Sequence, residues 1–123
     1  MNSSKPFSLL GRIKSFGYAL NGWRTLITEE PNALVHLVAA LTALVCGFIF
    51  KISTTEWLAV ILAIVIVLAA ELFNTSLEVL CDHMEPNHNP QIKKIKDLAA
   101  GAVLISSVGA LVVGLIIFIP KIF

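Results

Sequence analysis

Charge is scarce in this chain. Of its 123 residues, 14 % are Asp, Glu, Lys or Arg, against about 25 % in soluble domains. Nine basic and eight acidic residues leave a net charge of +1, so no excess points to nucleic acid. The two cysteines, Cys46 and Cys81, are too few for a disulfide framework, and both read as small buried or lipid-facing residues. Neither G-x-x-x-x-G-K-[ST] nor G-x-G-x-x-G occurs, which removes the common phosphate cradles; Gly101, Gly109 and Gly114 fit packing instead. Repeats and low-complexity stretches are also missing. The first 30 residues hold no continuous apolar core with a small-residue cleavage pattern, which argues against a cleaved signal peptide.

Apolar residues are what the chain has in excess. They make up 57 % of the sequence, and the mean hydropathy is +0.87. A soluble domain could not cover that much apolar surface with so few charges, and a disordered chain would show the opposite balance. The reading is an integral membrane protein of one domain, residues 1–123.

A spanning helix needs about 20 mostly apolar residues. Residues 33–50, 57–81 and 98–119 qualify, the last ending at Pro120. Lys5, Arg12, Lys14 and Arg24 precede the first span, and Lys93, Lys94 and Lys96 separate the second from the third. Only Lys51 and Lys121 lie on the other side, so the basic residues divide seven to two. That bias places the N-terminus and second connection in the cytoplasm and the C-terminus outside. Before the spans, Leu9, Ile13, Phe16, Leu20, Trp23 and Ile27 recur at helical spacing on one face. Residues 1–30 are therefore expected to form an amphipathic helix on the cytoplasmic membrane surface, anchored by Tyr18 and Trp23. The predicted fold is an all-α membrane protein, this surface helix plus three transmembrane helices.

Two breakers join the spans. In the first, Ser53 or Thr54 is a candidate cap with Glu56 in the first turn; the second is Glu85-Pro-Asn-His-Asn-Pro90. In the third span Ala102, Ser106, Ala110 and Gly114 recur every fourth position, a stripe that admits close helix approach.

The second span carries residues that hydrocarbon disfavours. A carboxylate at the centre of a spanning helix costs about 2.5–3.5 kcal/mol by the lower estimates. Glu71 and Glu78 lie inside this span, with Asn74 between them and Asp82 at its end. At 100° per residue these four fall within about 80° of one another, forming one polar stripe toward the cytoplasmic end. Asp82 and Glu71 are about 16 Å apart along the axis, which puts Glu71 below the headgroups. Glu29 and Glu30 before the first span, and Lys96-Asp97 opening the third, converge on the same edge. Carboxylates from two helices with a lysine nearby suit a magnesium ion and phosphate oxygens. Asp82, His83, Glu85 and His88 are spaced too irregularly for a transition-metal site. His36 reads as a satisfied polar residue near the interface.

A non-enzymatic reading also explains intramembrane carboxylates: a small oligomeric transporter or channel subunit with the stripe lining an ion path. It needs polar groups continuing outward. Residues 57–70 offer none, and the third span offers only Ser106 and Ser107.

The segment Ala70-Glu-Leu-Phe-Asn-Thr-Ser-Leu-Glu-Val-Leu-Cys-Asp82, followed by Lys96-Asp97-Leu-Ala-Ala-Gly-Ala-Val-Leu104, resembles the signature of the small prokaryotic diacylglycerol kinase family, which includes undecaprenol kinases. The resemblance covers nearly the whole chain and the pattern E-x-x-N-[ST]-[SA]-x-E-x-x-x-D. It implies phosphoryl transfer from ATP, with magnesium, to a lipid hydroxyl at the inner membrane. It also implies a homotrimer whose sites form between subunits, and a chain this short has little material to enclose both ATP and a lipid alone. By the same resemblance Glu71 is the catalytic base, Asn74 orders the site, and Glu30 and Glu78 hold magnesium and the nucleotide. Lys96 and Asp97 contact the nucleotide, as do Tyr18 and the loop Asn87-His88-Asn89; Arg24 and Glu71 face the lipid. Two positions depart from the family pattern: Leu34 stands where arginine is common, and Gly11 where a basic residue is expected, with Arg12 next to it. His36-Leu-Val-Ala-Ala, Gly47-Phe-Ile-Phe, Ser53-Thr-Thr-Glu-Trp57 and Ile119-Pro-Lys resemble the undecaprenol kinase branch more than the diacylglycerol branch.

Overall fold

The computed structural model describes residues 6–85 and 87–123. Lys5 and Pro86, which entered the charge count and the second breaker, lie outside them. The described residues form four α-helices: α1 (Leu9–Glu29), α2 (Pro31–Ile49), α3 (Thr54–Met84) and α4 (Pro90–Ile122).

Local chemistry sets each boundary. Ser8 caps α1, its Oγ accepting from the Gly11 amide at 3.1 Å. A single residue, Glu30, separates α1 from α2 with extended angles of φ −117° and ψ 102°. The pyrrolidine of Pro31 disfavours helical angles at the residue before it, which places the break at Glu30. At the start of α3, Ser53 Oγ accepts from the Glu56 amide at 3.1 Å, and Glu56 Oε1 accepts from the Ser53 amide at 2.9 Å. This reciprocal capping box selects Ser53 over Thr54 as the cap. Asn89 caps α4 through Oδ1, which accepts from the Gln91 and Ile92 amides at 2.9 and 3.4 Å. Pro90 follows at the first helical position, where its missing N–H loses nothing.

The α2–α3 turn closes on a residue the sequence does not advertise. Lys51 takes a left-handed φ of 50°. Its amide donates to Phe48 O at 3.4 Å and the Ile52 amide to Gly47 O at 3.2 Å, the paired bonds of a Schellman motif. Glycine usually occupies that position.

α2, α3 and α4 are long and apolar enough to cross a membrane. This agrees with an integral membrane protein and with the three expected spans, although two helices run past them. α3 extends to Met84 rather than stopping at 81, and α4 begins at Pro90 rather than 98. Charges end an apolar run without ending a helix, so Lys93–Asp97 sit on the first turns of α4. α4 also continues through Pro120 to Ile122; at the last turn a proline forfeits little of the ladder. The 31 residues of α3 span about 46 Å against about 30 Å of hydrocarbon. The helix is therefore longer than the hydrocarbon is thick.

α3 is the central element, packed along α4 over most of its length and touching α2 and α1 more briefly. At the end away from the stripe, Ile52, Val60 and Ile117 form a buried cluster with Trp57, Phe50 and Phe118 against it. A Lys121–Glu56 ion pair at 3.2 Å ties the end of α4 to the α3 capping box. Gly47 lies directly against Trp57: a Cβ there would meet the indole ring at 2.6 Å. The small-residue stripe of α4 lies partly against α3, where Ser106, Gly109 and Ala110 share an open groove with Ala59 and Ala63.

Candidate functional site

Apolar helices set side by side gain nothing from burying a carboxylate, yet Glu71 is 1 % exposed. His36 of α2 faces it, with Nε2 3.0 Å from Glu71 Oε1. The approach is that of an ion pair, but it lies off the line of a directed hydrogen bond, and Oε1 has no hydrogen-bond partner. Glu30 and Glu78 are the other ionisable groups within electrostatic reach of this carboxylate.

One turn along, Asn74 is also buried. Its Nδ2 donates to Glu78 Oε1 at 3.3 Å, while its Oδ1 has no partner. Thr75 Oγ1 is a third orphan. Among the described residues these three atoms, all on α3 between 71 and 75, are the buried side-chain polar atoms without partners. Elsewhere hydroxyls bond back to their own helix: Thr42 to Val38 O at 2.8 Å, and Ser106 and Ser107 to Ala102 O and Val103 O at 2.7 Å each. Unsatisfied buried polar groups cost about 1–3 kcal/mol apiece. They concentrate on one turn and a half of α3, with His36 the nearest basic side chain to the first of them.

The stripe continues to the exposed end of α3. Glu78 is half-buried, and Asp82 is exposed and accepts from Lys96 Nζ of α4 at 2.5 Å. Asp97 pairs with Lys93, one turn back on α4, at 2.6 Å. Glu30, at the α1–α2 break, is half-buried with no side-chain capping bond. The fold thus brings Glu30, His36, Glu71, Asn74 and Glu78 toward one end of α3, with Asp82 and Lys96 next along it.

The remaining candidates lie on the surface. Tyr18 and Arg24 are exposed on α1, and Asn87 and His88 on the α3–α4 loop. Asn89 is half-buried and its Oδ1 is taken up by the α4 cap. Leu34 is exposed on α2, and Gly11 packs against the Ser8 cap with a would-be Cβ at 3.5 Å.

Among the described residues no three His, Cys, Asp or Glu side chains gather closely enough to hold a metal ion by themselves. The oxygens present still suit magnesium. It prefers hard oxygen ligands, keeps several waters and needs only one or two carboxylates beside substrate phosphates. Glu30, Glu78 and the unpartnered Asn74 Oδ1 are such donors. His36 is the residue the sequence undervalued. Its spacing predicts only a satisfied polar group, and nothing in one helix reveals which residue of the next it will meet.

Comparison with known proteins agrees with this picture. Residues 17–118 match the family described as Prokaryotic diacylglycerol kinase. An undecaprenol kinase of Bacillus subtilis (strain 168) is 41 % identical over 109 residues, covering 88 % of both chains. A diacylglycerol kinase of Synechocystis sp. is 28 % identical over 107 residues, covering 86 % of this chain and 61 % of its own.

Proposed function

The chain belongs to the prokaryotic diacylglycerol kinase family, and we propose that it transfers the γ-phosphate of ATP to a membrane-lipid hydroxyl, with undecaprenol the favoured acceptor and undecaprenyl phosphate the product. The acceptor follows the 41 % identity to an undecaprenol kinase against 28 % to a diacylglycerol kinase. Diacylglycerol, giving phosphatidic acid, is the second reading. The observation that carries the proposal is the buried, unsatisfied turn of α3 around Glu71, continuous with charged groups at the membrane edge.

In this reaction the lipid hydroxyl oxygen bonds to the γ-phosphorus while its proton passes to the Glu71 carboxylate. The bond from phosphorus to the β,γ-bridging oxygen breaks, and ADP leaves with that electron pair. Positioning and charge neutralisation dominate such a transfer, so a P-loop is not required. Burial suits Glu71 to act as the base, because it meets a hydroxyl held within the bilayer rather than bulk water. Asn74, bonded to Glu78, holds the stripe in register. Glu30 and Glu78 are the residues to hold magnesium, which when bound offsets phosphate charge. Lys96, now directed at Asp82, and Asp97 contact the nucleotide, joined by the exposed Tyr18, Asn87 and His88 and by the Asn89 amide nitrogen. Arg24 lies with Glu71 on the lipid side.

The seven-to-two division of basic residues supports an inner-membrane protein with a cytoplasmic N-terminus and an outward C-terminus. On that orientation α1 lies along the cytoplasmic surface, its exposed Leu9, Ile13, Phe16 and Leu20 facing lipid. We further infer a single domain that assembles as a homotrimer with sites shared between copies; the orphaned atoms and the open α3–α4 groove support this. A channel reading is disfavoured because residues 57–70 carry no polar side chain to continue the stripe, and the hydroxyls of Thr42, Ser106 and Ser107 are bonded to their own backbone.

Glu71→Gln tests the proposal. With the purified protein in mixed micelles, label transfer from ATP to lipid falls by about 100-fold or more, while ATP binding measured by calorimetry survives. Transfer at the wild-type rate would remove Glu71 from the mechanism.

A further inference from the structure

The lipid-kinase reading leaves a buried base with two acids near it. Glu30 and Glu78 both act on Glu71 with like charge, and among the described residues His36 is the basic side chain that pairs with it. Lys96, the cation next along the stripe, is bonded to Asp82 instead. A carboxylate cut off from water needs such a partner to remain a fixed, usable acceptor.

Geometry defines what His36 does. Its side chain is 21 % exposed while that of Glu71 is 2 % exposed, so the imidazole reaches from the buried carboxylate to the surface of the chain. It approaches Oε1, and among the described residues no hydrogen bond or ion pair engages Oε2. Imidazole donates through a ring N–H whether neutral or protonated, so the contact does not depend on charge alone. At 3.0 Å the pair is within hydrogen-bond distance although no directed bond is formed, and catalytic hydrogen bonds are often misaligned before substrate arrives.

Resting on the kinase reading, we propose that His36 is a positioning residue for the phosphoryl transfer. Its imidazole holds Glu71 Oε1 so that Oε2 is presented to the lipid hydroxyl. His36 touches neither substrate; it sets the rotamer of the group that does. Misplacing a reacting group by about 1 Å can cost about 100-fold in rate, so loss of this contact falls on turnover rather than on substrate binding.

The test compares His36→Leu and His36→Gln in the purified full-length protein, with undecaprenol and magnesium–ATP in mixed micelles. His36→Leu lowers kcat by about 10- to 100-fold with the KM for ATP within about twofold of wild type. His36→Gln retains an N–H donor and recovers most of that loss. A Leu variant with wild-type kcat overturns the proposal. So does equal loss in both variants accompanied by equal falls in thermal midpoint, the pattern of a merely structural residue. If the wild-type protein labels no lipid, the kinase reading itself fails, which is distinct from an active wild type matched by His36→Leu.

Discussion

Lys96 and Asp82 form the point where α3 and α4 bring opposite charges together at the exposed end of the stripe. Both side chains reach solvent, and exposed pairs add little to stability. Lys96→Met is therefore expected to leave the thermal midpoint in place while raising the KM for ATP by about tenfold, because hydrogen bonds to charged groups carry about 1.5–3 kcal/mol. Steady-state kinetics at varied ATP check this; an unchanged KM would detach Lys96 from the nucleotide. The acids and amide of the stripe were legible in the sequence, because a carboxylate in an apolar run is conspicuous and helical spacing fixes its face. The partners were not. That His36 meets Glu71, that Lys96 chooses Asp82, and that Asp97 turns back to Lys93 depend on how neighbouring helices rotate and slide, which no single helix encodes.

Among the elements, the α2–α3 connection is the most exacting. Lys51 occupies a left-handed position that disfavours residues bearing a Cβ by about 1–2 kcal/mol. Lys51→Gly should raise unfolding stability by about 1 kcal/mol, measured by thermal melts in a fixed detergent. Gly47→Ala should act in the opposite direction. Its methyl group would meet Trp57 at 2.6 Å, and overpacking of this kind costs about 1–3 kcal/mol. A neutral Gly47→Ala melt would mean that α2 can slide off the indole freely. Hydropathy found the three spans because their apolar runs are long and unbroken. The helices run past the expected spans, α3 through Asp82 to Met84 and α4 from Pro90 through Lys93–Asp97, because caps rather than charge decide a helix boundary. The Schellman turn carries no sequence signal, since its usual glycine is a lysine here.

For the whole molecule, thin helices and sparse contacts have a consequence: among the described residues Asn74 Oδ1 and Thr75 Oγ1 of α3 are buried without partners. If sites are shared between copies, label transfer per subunit falls when the purified protein is diluted until its assembly dissociates, followed by sedimentation in the same detergent. Independent sites would keep the same rate per subunit. The same architecture explains how a water-soluble nucleotide and a bilayer-bound alcohol meet. α3 is longer than the hydrocarbon is thick, and its stripe runs from the buried Glu71 to the exposed Asp82. The decisive measurement is the initial rate at which purified protein transfers labelled γ-phosphate from magnesium–ATP to undecaprenol and, in parallel, to diacylglycerol. Rapid labelling of undecaprenol with slower labelling of diacylglycerol is the expected result; a folded protein that labels neither lipid would contradict it.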